Sequence, residues 1–430
     1  MKLTPWSYRW LTRLALPLAK LYLLKRARKQ PAYKEHWDER FGRCAYPRSD
    51  RPTLWLHAVS LGETNAARSL VESCLRDFPE CRVLLTCMTP TGREAGARLV
   101  KAYPGRVDQC YLPYDTPELM GKFLDDVRPC LGILMETEVW PNLLDQAKRR
   151  DIPMILANAR ESEKSRAKAE RADAVMRPAF ESFAAVLAQS PADAERLASL
   201  GAHNVHVCGS VKFDIHPDAA QVATAKDVKE RIARPVLLLA STRQDEEKLF
   251  VPHLARLPAE VLVLLVPRHP ERFDEVAELL ERNNVPFVRK SRMPKLDAVS
   301  AQTRVILGDT MGEMSFNSAM ADVCIMGGSF GPFGCQNLIE PAASGAPVIV
   351  GRSTFNFAQV VDDALKMQAA VSVETALEAI ETATCWFYDG RLSQRAECAR
   401  RFANSYTGAT EKMMKWVRAL WNKQNASRMS

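Results

Sequence analysis

Metal, redox and nucleotide fingerprints are missing from this chain of 430 residues. Its 11 cysteines are odd in number, scattered, and nowhere spaced C-x-x-C. They read as reduced thiols of a cytoplasmic protein, several of them in the core. No H-E-x-x-H or other His/Cys ligand spacing occurs, so no structural metal is expected. Neither G-x-G-x-x-G nor G-x-x-x-x-G-K-[ST] appears, which argues against a dinucleotide dehydrogenase or a P-loop NTPase. There is no internal repeat, no low-complexity segment and no small-residue cleavage site after the N-terminal segment. Residues 1–30 make a poor membrane span: Arg9, Arg13, Pro17 and Lys20 interrupt them, where a span needs ~20 mostly apolar residues.

What remains is a soluble-type composition, 47% hydrophobic and 26% charged, with 59 basic against 51 acidic residues. A net charge of +8 suits an anionic substrate or a membrane surface better than a nucleic-acid duplex. Residues 1–30 combine Trp6, Tyr8, Trp10, Tyr22 and leucines with the basic run Lys25 to Lys29. That pattern predicts an amphipathic helix lying in the interface of an anionic bilayer, its basic end cytoplasmic; an ordinary amphipathic helix packed on the protein is the alternative.

Short apolar runs then alternate with helical stretches. Strands are predicted at 53–59, 83–87, 108–113, 131–135, 154–157, 185–189 and 205–208, and again at 235–240, 260–266, 287–288, 305–307, 323–326 and 347–350. The alternation predicts an α/β protein of two Rossmann-like halves, parallel sheets flanked by helices, facing each other across a cleft. The expected domains are 1–30 (membrane association), 31–215, 216–405, and a C-terminal helix at 406–430 that packs back on the first half. The polar stretch 211–234 marks the junction.

The densest signal is 305–351, which reads strand, helix (311–321), strand, glycine-rich loop, helix (337–343), strand. Gly327-Gly328-Ser329 follows a buried strand, where phosphates bind helix N-termini in open α/β sheets. Thr310-x-x-Glu313, Asn337-x-x-Glu340 and Ser60-x-x-Glu63 have the form of capping boxes. Each glutamate also suits chemistry: Glu313 and Glu340 could accept from sugar hydroxyls, and Glu63 could act as a general base. A helix dipole would lower the pKa of Glu63 and weaken it as a base. Glu136 and Glu138 stand at another strand end, Lys212 follows a strand near the junction, and Arg268 could fork onto a phosphate. A solvated loop or ordinary surface residues are the bland readings of these four.

Read together, the motifs resemble the Kdo transferase family, the 3-deoxy-D-manno-octulosonic acid transferases of lipopolysaccharide synthesis. The likeness runs from about Lys29 to Asn356. It is carried by His57 to Glu63, Thr89 to Gly92, Leu112 to Asp115, Met135 to Asn142 and Lys212 to Asp214, then by Pro267 to Pro270, Gly308 to Glu313, Gly327 to Ser329 and Asn337 to Pro341. The resemblance implies an inverting GT-B glycosyltransferase with CMP-Kdo as donor, a lipid A precursor (lipid IVA) as acceptor, no cofactor, and a place at the cytoplasmic face of the inner membrane. It also implies roles. Glu63 matches the family's catalytic base, and Glu136 and Lys212 match residues that steady the transition state. Pro267, Arg268, Met311, Gly312, Glu313, Asn337, Leu338, Ile339 and Glu340 match segments that hold CMP. Gly334-Cys335-Gln336-Asn337 departs from the family's Gly-Gly-His-Asn, and Gln336 cannot take over a titrating histidine's part. Another GT-B enzyme acting on a membrane lipid, or a non-catalytic nucleotide-sugar-binding protein, are the alternatives.

Overall fold

The computed structural model describes residues 3–214, 217–297 and 299–429, with side chains described as far as Gln424. The chain forms two compact units, Met1–Asp214 with Gly408–Ser430, and Ile215–Thr407.

The first unit holds seven strands: β1 Thr53–His57, β2 Arg82–Cys87, β3 Val107–Tyr111, β4 Leu131–Met135, β5 Met154–Ala159, β6 Ala185–Ala188 and β7 Val205–Val207. They lie in the order β3-β2-β1-β4-β5-β6-β7, every pair parallel. All five residues of β1 and of β4 are buried. Alternate residues feed two cores: Leu54 and Leu56 join one face, Trp55 the other. That double burial is why the strands read as continuous apolar runs without polar alternation.

The helix Ala409–Met429 completes this unit. Met413, Met414, Val417 and Trp421 are buried in the core that contains Leu54, Leu70 and Leu131. Trp421 stacks on Phe78 with ring centroids 4.9 Å apart and donates from its indole to Glu80. At the other end of the chain, the helix Pro5–Ala27 is capped by Thr4 and carries Pro17 inside it.

The second unit has β8 Val236–Thr242, β9 Leu262–Pro267, β10 Phe287–Arg289, β11 Val305–Leu307, β12 Val323–Met326, β13 Val348–Val350 and β14 Ala370–Ser372. Their order is β10-β11-β9-β8-β12-β13-β14, again all parallel. Strand order reverses beside β1 in one sheet and beside β8 in the other. The carboxyl ends at such switch points are where open α/β sheets bind ligands.

The stretch 211–234 contains the helix Ala219–Ile232, and the two units divide between Asp214 and Ile215. Two expectations need correction. The helices expected over 311–321 and 337–343 shorten to Met314–Met320 and Ile339–Ala343, because the residues before them form the loops described below. No capping box forms at either: Glu313 and Leu338 are the N-cap residues, and neither cap side chain bonds the helix.

Replacing Trp421 with Ala removes a side chain that is 1% exposed. It should cost about 3–5 kcal/mol in the denaturant unfolding of the first unit. A loss under about 1 kcal/mol would mean that the last helix is dispensable to that core.

Candidate active site

Glu63 lies in the first turn of the helix Leu61–Asp77, directly after β1. Its carboxylate accepts from the Val59 amide at 2.7 Å and from the Ser60 hydroxyl at 3.2 Å. The capping box is therefore displaced by one residue: the acid reaches the amide before the N-cap, and the Ser60 side chain does not cap. Burial raises the pKa of Glu63, the Val59 amide pulls it back, and the Glu136 charge raises it again. The dipole-lowered base expected from the sequence is thus overturned, since desolvation outweighs the hydrogen bonds.

Glu136 sits one residue beyond β4, the strand beside β1. It is 3% exposed and has φ 57°, in the left-handed region. A residue with a Cβ is held there at a cost of about 1–2 kcal/mol. Its carboxylate pairs with Lys212 at 2.7 Å and with Arg160 at 3.0 Å. Lys212 is carried by the single turn Val211–Phe213 after β7. That turn is tied down by buried Asn158, whose side-chain oxygen accepts from the Val211 amide at 3.2 Å. The structure thus brings Glu63, Glu136 and Lys212 together at the carboxyl edge of one sheet. Glu138 joins them: it accepts from the Trp140 indole at 2.6 Å, and its pKa is raised by burial and by the charges of Glu63 and Glu136.

Arg160 and Asn158 escaped the sequence reading. Arg160 directly follows β5, so the rule that picked out Glu136, a charge at a strand end, would have found it. Asn158 is buried within a strand and its pattern gave no signal.

In the second unit, Pro267 ends β9 and Arg268 follows it, exposed. Met311, Gly312 and Glu313 form the loop after β11. Met311 is exposed, and Gly312 has φ 79°, which glycine adopts without strain. Desolvation works against the Glu313 carboxylate. Hydrogen bonds from Lys290 and Thr310 outweigh it and hold its pKa below the usual range. The Lys290 ammonium, itself 3% exposed, lies 2.8 Å from Glu313. Asn337 accepts from the Ile339 amide at 3.1 Å, while Leu338 and Ile339 are buried. Glu340 has its pKa raised by burial against a hydrogen bond with Ser315, which links the 337–340 segment to the helix after Glu313.

The glycine loop after β12 is not an open phosphate cradle. Buried Glu246 accepts from the amides of Gly328 at 2.7 Å, Phe330 at 2.9 Å and Arg243 at 2.7 Å. A protein carboxylate therefore occupies the donors that an anion would use. The glycines serve packing: a Cβ on Gly327 would lie 2.5 Å from the Ser241 carbonyl oxygen, and Gly328 has φ 73°. Among the described residues no group of three His, Cys, Asp or Glu is placed to hold a metal ion.

The family model of the 3-Deoxy-D-manno-octulosonic-acid transferases (kdotransferases) matches residues 35–215. A 3-deoxy-D-manno-octulosonic acid transferase of Bordetella pertussis is 40% identical over 417 residues, 93% of this chain and 95% of its own. One from Haemophilus influenzae is 33% identical, covering 83% and 84% respectively. This chain belongs to the 3-deoxy-D-manno-octulosonic acid transferase family. The resemblance read from its motifs is borne out.

Solved structures bear on the fold. A UDP-GlcNAc 2-epimerase from Neisseria meningitidis superposes with a TM-score of 0.55 at 13% identity, covering 85% of this chain and all of its own. Anabaena HepE does so with a TM-score of 0.52 at 12% identity, covering 86% and 100%. Both agree with a GT-B-type pair of Rossmann-like units.

Glu246→Ala should leave three amides without an acceptor, two of them in the glycine loop. The second unit should lose about 3 kcal/mol or more of stability. Hydrogen exchange at the Gly328 and Phe330 amides reads this directly; unchanged protection there would show that another group holds the loop.

Proposed function

We propose that this protein is an inverting glycosyltransferase that moves Kdo from CMP-Kdo to a hydroxyl of a lipid A precursor such as lipid IVA. The observation that carries the reading is the gathering of Glu63, Glu136 and Lys212 at one sheet edge, in a chain of this family. Two 7-stranded units of the GT-B type accord with it.

In the proposed reaction the acceptor hydroxyl attacks the anomeric carbon of Kdo as its proton passes to Glu63. The bond from that carbon to the CMP phosphate breaks with inversion, and CMP carries away the electron pair. A raised pKa makes the Glu63 carboxylate a better proton acceptor than an ordinary surface carboxylate. The Lys212 and Arg160 cations fix the Glu136 carboxylate by ion pairs, and Lys212 supplies positive charge against the charge that develops. For the donor, Pro267-Arg268, Met311 to Glu313 and Asn337 to Glu340 are proposed to bind CMP, with Glu313 and Glu340 accepting from ribose hydroxyls and Arg268 facing phosphate.

The enzyme is proposed to lie on the cytoplasmic face of the inner membrane. No helix among the described residues is long and apolar enough to cross a bilayer. The helix Pro5–Ala27 is instead fastened to the first unit by its polar side. Tyr8 donates to Asp115 at 2.9 Å, Arg9 pairs with Asp145 at 3.0 Å, and Arg13 pairs with Glu118. Trp6, Leu11, Leu14, Leu18 and Leu21 are left exposed, each by more than half. Such a face with a basic end suits an anionic interface.

Mass spectrometry of lipid IVA incubated with CMP-Kdo and the detergent-purified protein should show addition of Kdo. Glu63→Gln should lower turnover about 10²–10⁴-fold with donor affinity kept. Near-normal turnover in that variant would remove Glu63 from the base role. The pH profile gives a second check. Activity needs ionised Glu63 and falls as pH drops through its raised pKa. Removing the Glu136 charge relieves one cause of that rise, so Glu136→Gln should move the acid limb to lower pH, beneath a reduced maximum. A limb that stays in place would assign it to another group.

Trp6→Asp with Leu14→Asp should weaken binding to vesicles containing phosphatidylglycerol by about 100-fold. Unchanged flotation would mean that this face does not meet lipid.

A further inference from the structure

Lys290 follows β10 and is 3% exposed. Its ammonium lies 2.8 Å from the Glu313 carboxylate and 3.4 Å from the centre of the Phe316 ring. Among the described residues, Glu313 is the one carboxylate within ion-pair distance of it. Taking an ammonium out of water costs several kcal/mol, and a single partner offsets that only in good geometry. Burial here disfavours the charge, and Glu313 opposes it.

The loop after β11 does not need this pair to stay in place. β10 and β11 are hydrogen-bonded neighbours. Asp309, just past β11, accepts from Arg289 at 2.6 Å, from the Ser291 amide at 2.8 Å and from the Ser291 hydroxyl. The helix Ala219–Ile232 holds the same loop through Gln221, which donates to the Gly312 carbonyl at 3.0 Å and accepts from the Phe316 amide at 3.2 Å. To these fastenings Lys290 adds one contact, and it is with the Glu313 carboxylate.

The contact is one-sided. Lys290 and the Thr310 hydroxyl both meet Oε2 of Glu313. No hydrogen bond from the described residues reaches Oε1, and the side chain is 34% exposed. One oxygen is fixed and the other is left to accept. A free glutamate loses up to about 2 kcal/mol of rotamer entropy when a ligand orders it. A carboxylate ordered beforehand avoids that loss on binding.

We propose that Lys290 is a positioning residue for donor recognition: with Thr310 it pins Oε2 of Glu313, so that Oε1 meets a ribose hydroxyl and the enzyme discriminates against nucleotides that lack one. The inference rests on the reading above, in which Glu313 accepts from the ribose of CMP, and adds what orders that carboxylate and the selectivity that results. A site built to bond a hydroxyl rejects the analogue without it, because its own polar group is left unpaired.

Calorimetry on the full chain in detergent, with CMP and with 2′,3′-dideoxycytidine monophosphate, tests this. Wild type should bind CMP at least about tenfold tighter, the effect of one charge-assisted hydrogen bond. Glu313→Ala should cut that preference about tenfold through CMP alone. Lys290→Met should remove most of the same preference with dideoxynucleotide affinity kept, and Lys290→Arg should restore part of it. Lys290→Met with Glu313→Ala should be no worse than Glu313→Ala, since the lysine acts through the glutamate. If Lys290→Met does not fold, Thr310→Val removes the other donor to Oε2 and should lower the preference about threefold. Equal weakening of both nucleotides would reduce the pair to a loop fastening and overturn the proposal. So would a wild-type preference in Lys290→Met beside a lowered one in Glu313→Ala. A wild-type preference in Glu313→Ala would instead overturn the ribose reading of Glu313, and wild-type protein that binds neither nucleotide would overturn CMP as the ligand.

Discussion

Parallel strands covered on both faces leave only their ends for polar side chains, and that constraint organises this protein. Every residue of β1 and β4 is buried, so the ionisable groups flanking them are displaced to the carboxyl edge. There they crowd: Glu63 after β1, Glu136 and Glu138 after β4, Arg160 after β5 and Lys212 after β7. Crowding in a half-desolvated place creates the chemistry. Glu136 is buried enough to demand two cations, Lys212 and Arg160. Its charge then acts on Glu63, whose pKa burial has already raised.

The second sheet meets the same constraint in a different way. At its switch point the loop amides could have formed an anion site. Glu246 fills them with a carboxylate from the helix Glu246–Phe250 instead. The glycines there are needed for closeness of backbone to backbone, as Gly327 against Ser241 shows. Glu313 sits on a loop and holds its charge through Lys290 and Thr310, while Glu340, in the first turn of the helix Ile339–Ala343, is pressed towards neutrality by burial.

Much of this was legible in the chain. The apolar runs gave nearly all strands because double burial removes polar residues from them. Glu63, Glu136, Lys212 and Arg268 were legible because charges directly after a buried run have no packing reason to be there. Other features could not be read. Asn158 and Lys290 act through partners far away in sequence, and spacing carries no trace of such contacts. Edge strand β14 is three residues long, Ala370–Ser372, too short for a periodicity signal. The capping-box patterns misled at Glu313 and Glu340, because the helices begin later than those patterns place them, at Met314 and Ile339. The sign of the Glu63 shift needed its burial, which a motif does not contain.

The helix Ala409–Met429 supplies Met413, Met414, Val417 and Trp421 to a core whose other members end at Val211. The first unit is therefore discontinuous, with the whole second unit inserted between its parts. During synthesis the second unit can close its own core as soon as it has left the ribosome, while the first, begun earlier, waits with an apolar face open until nearly the last residue emerges. The part of the protein made first is the last to be finished, and until then a chaperone has reason to cover it.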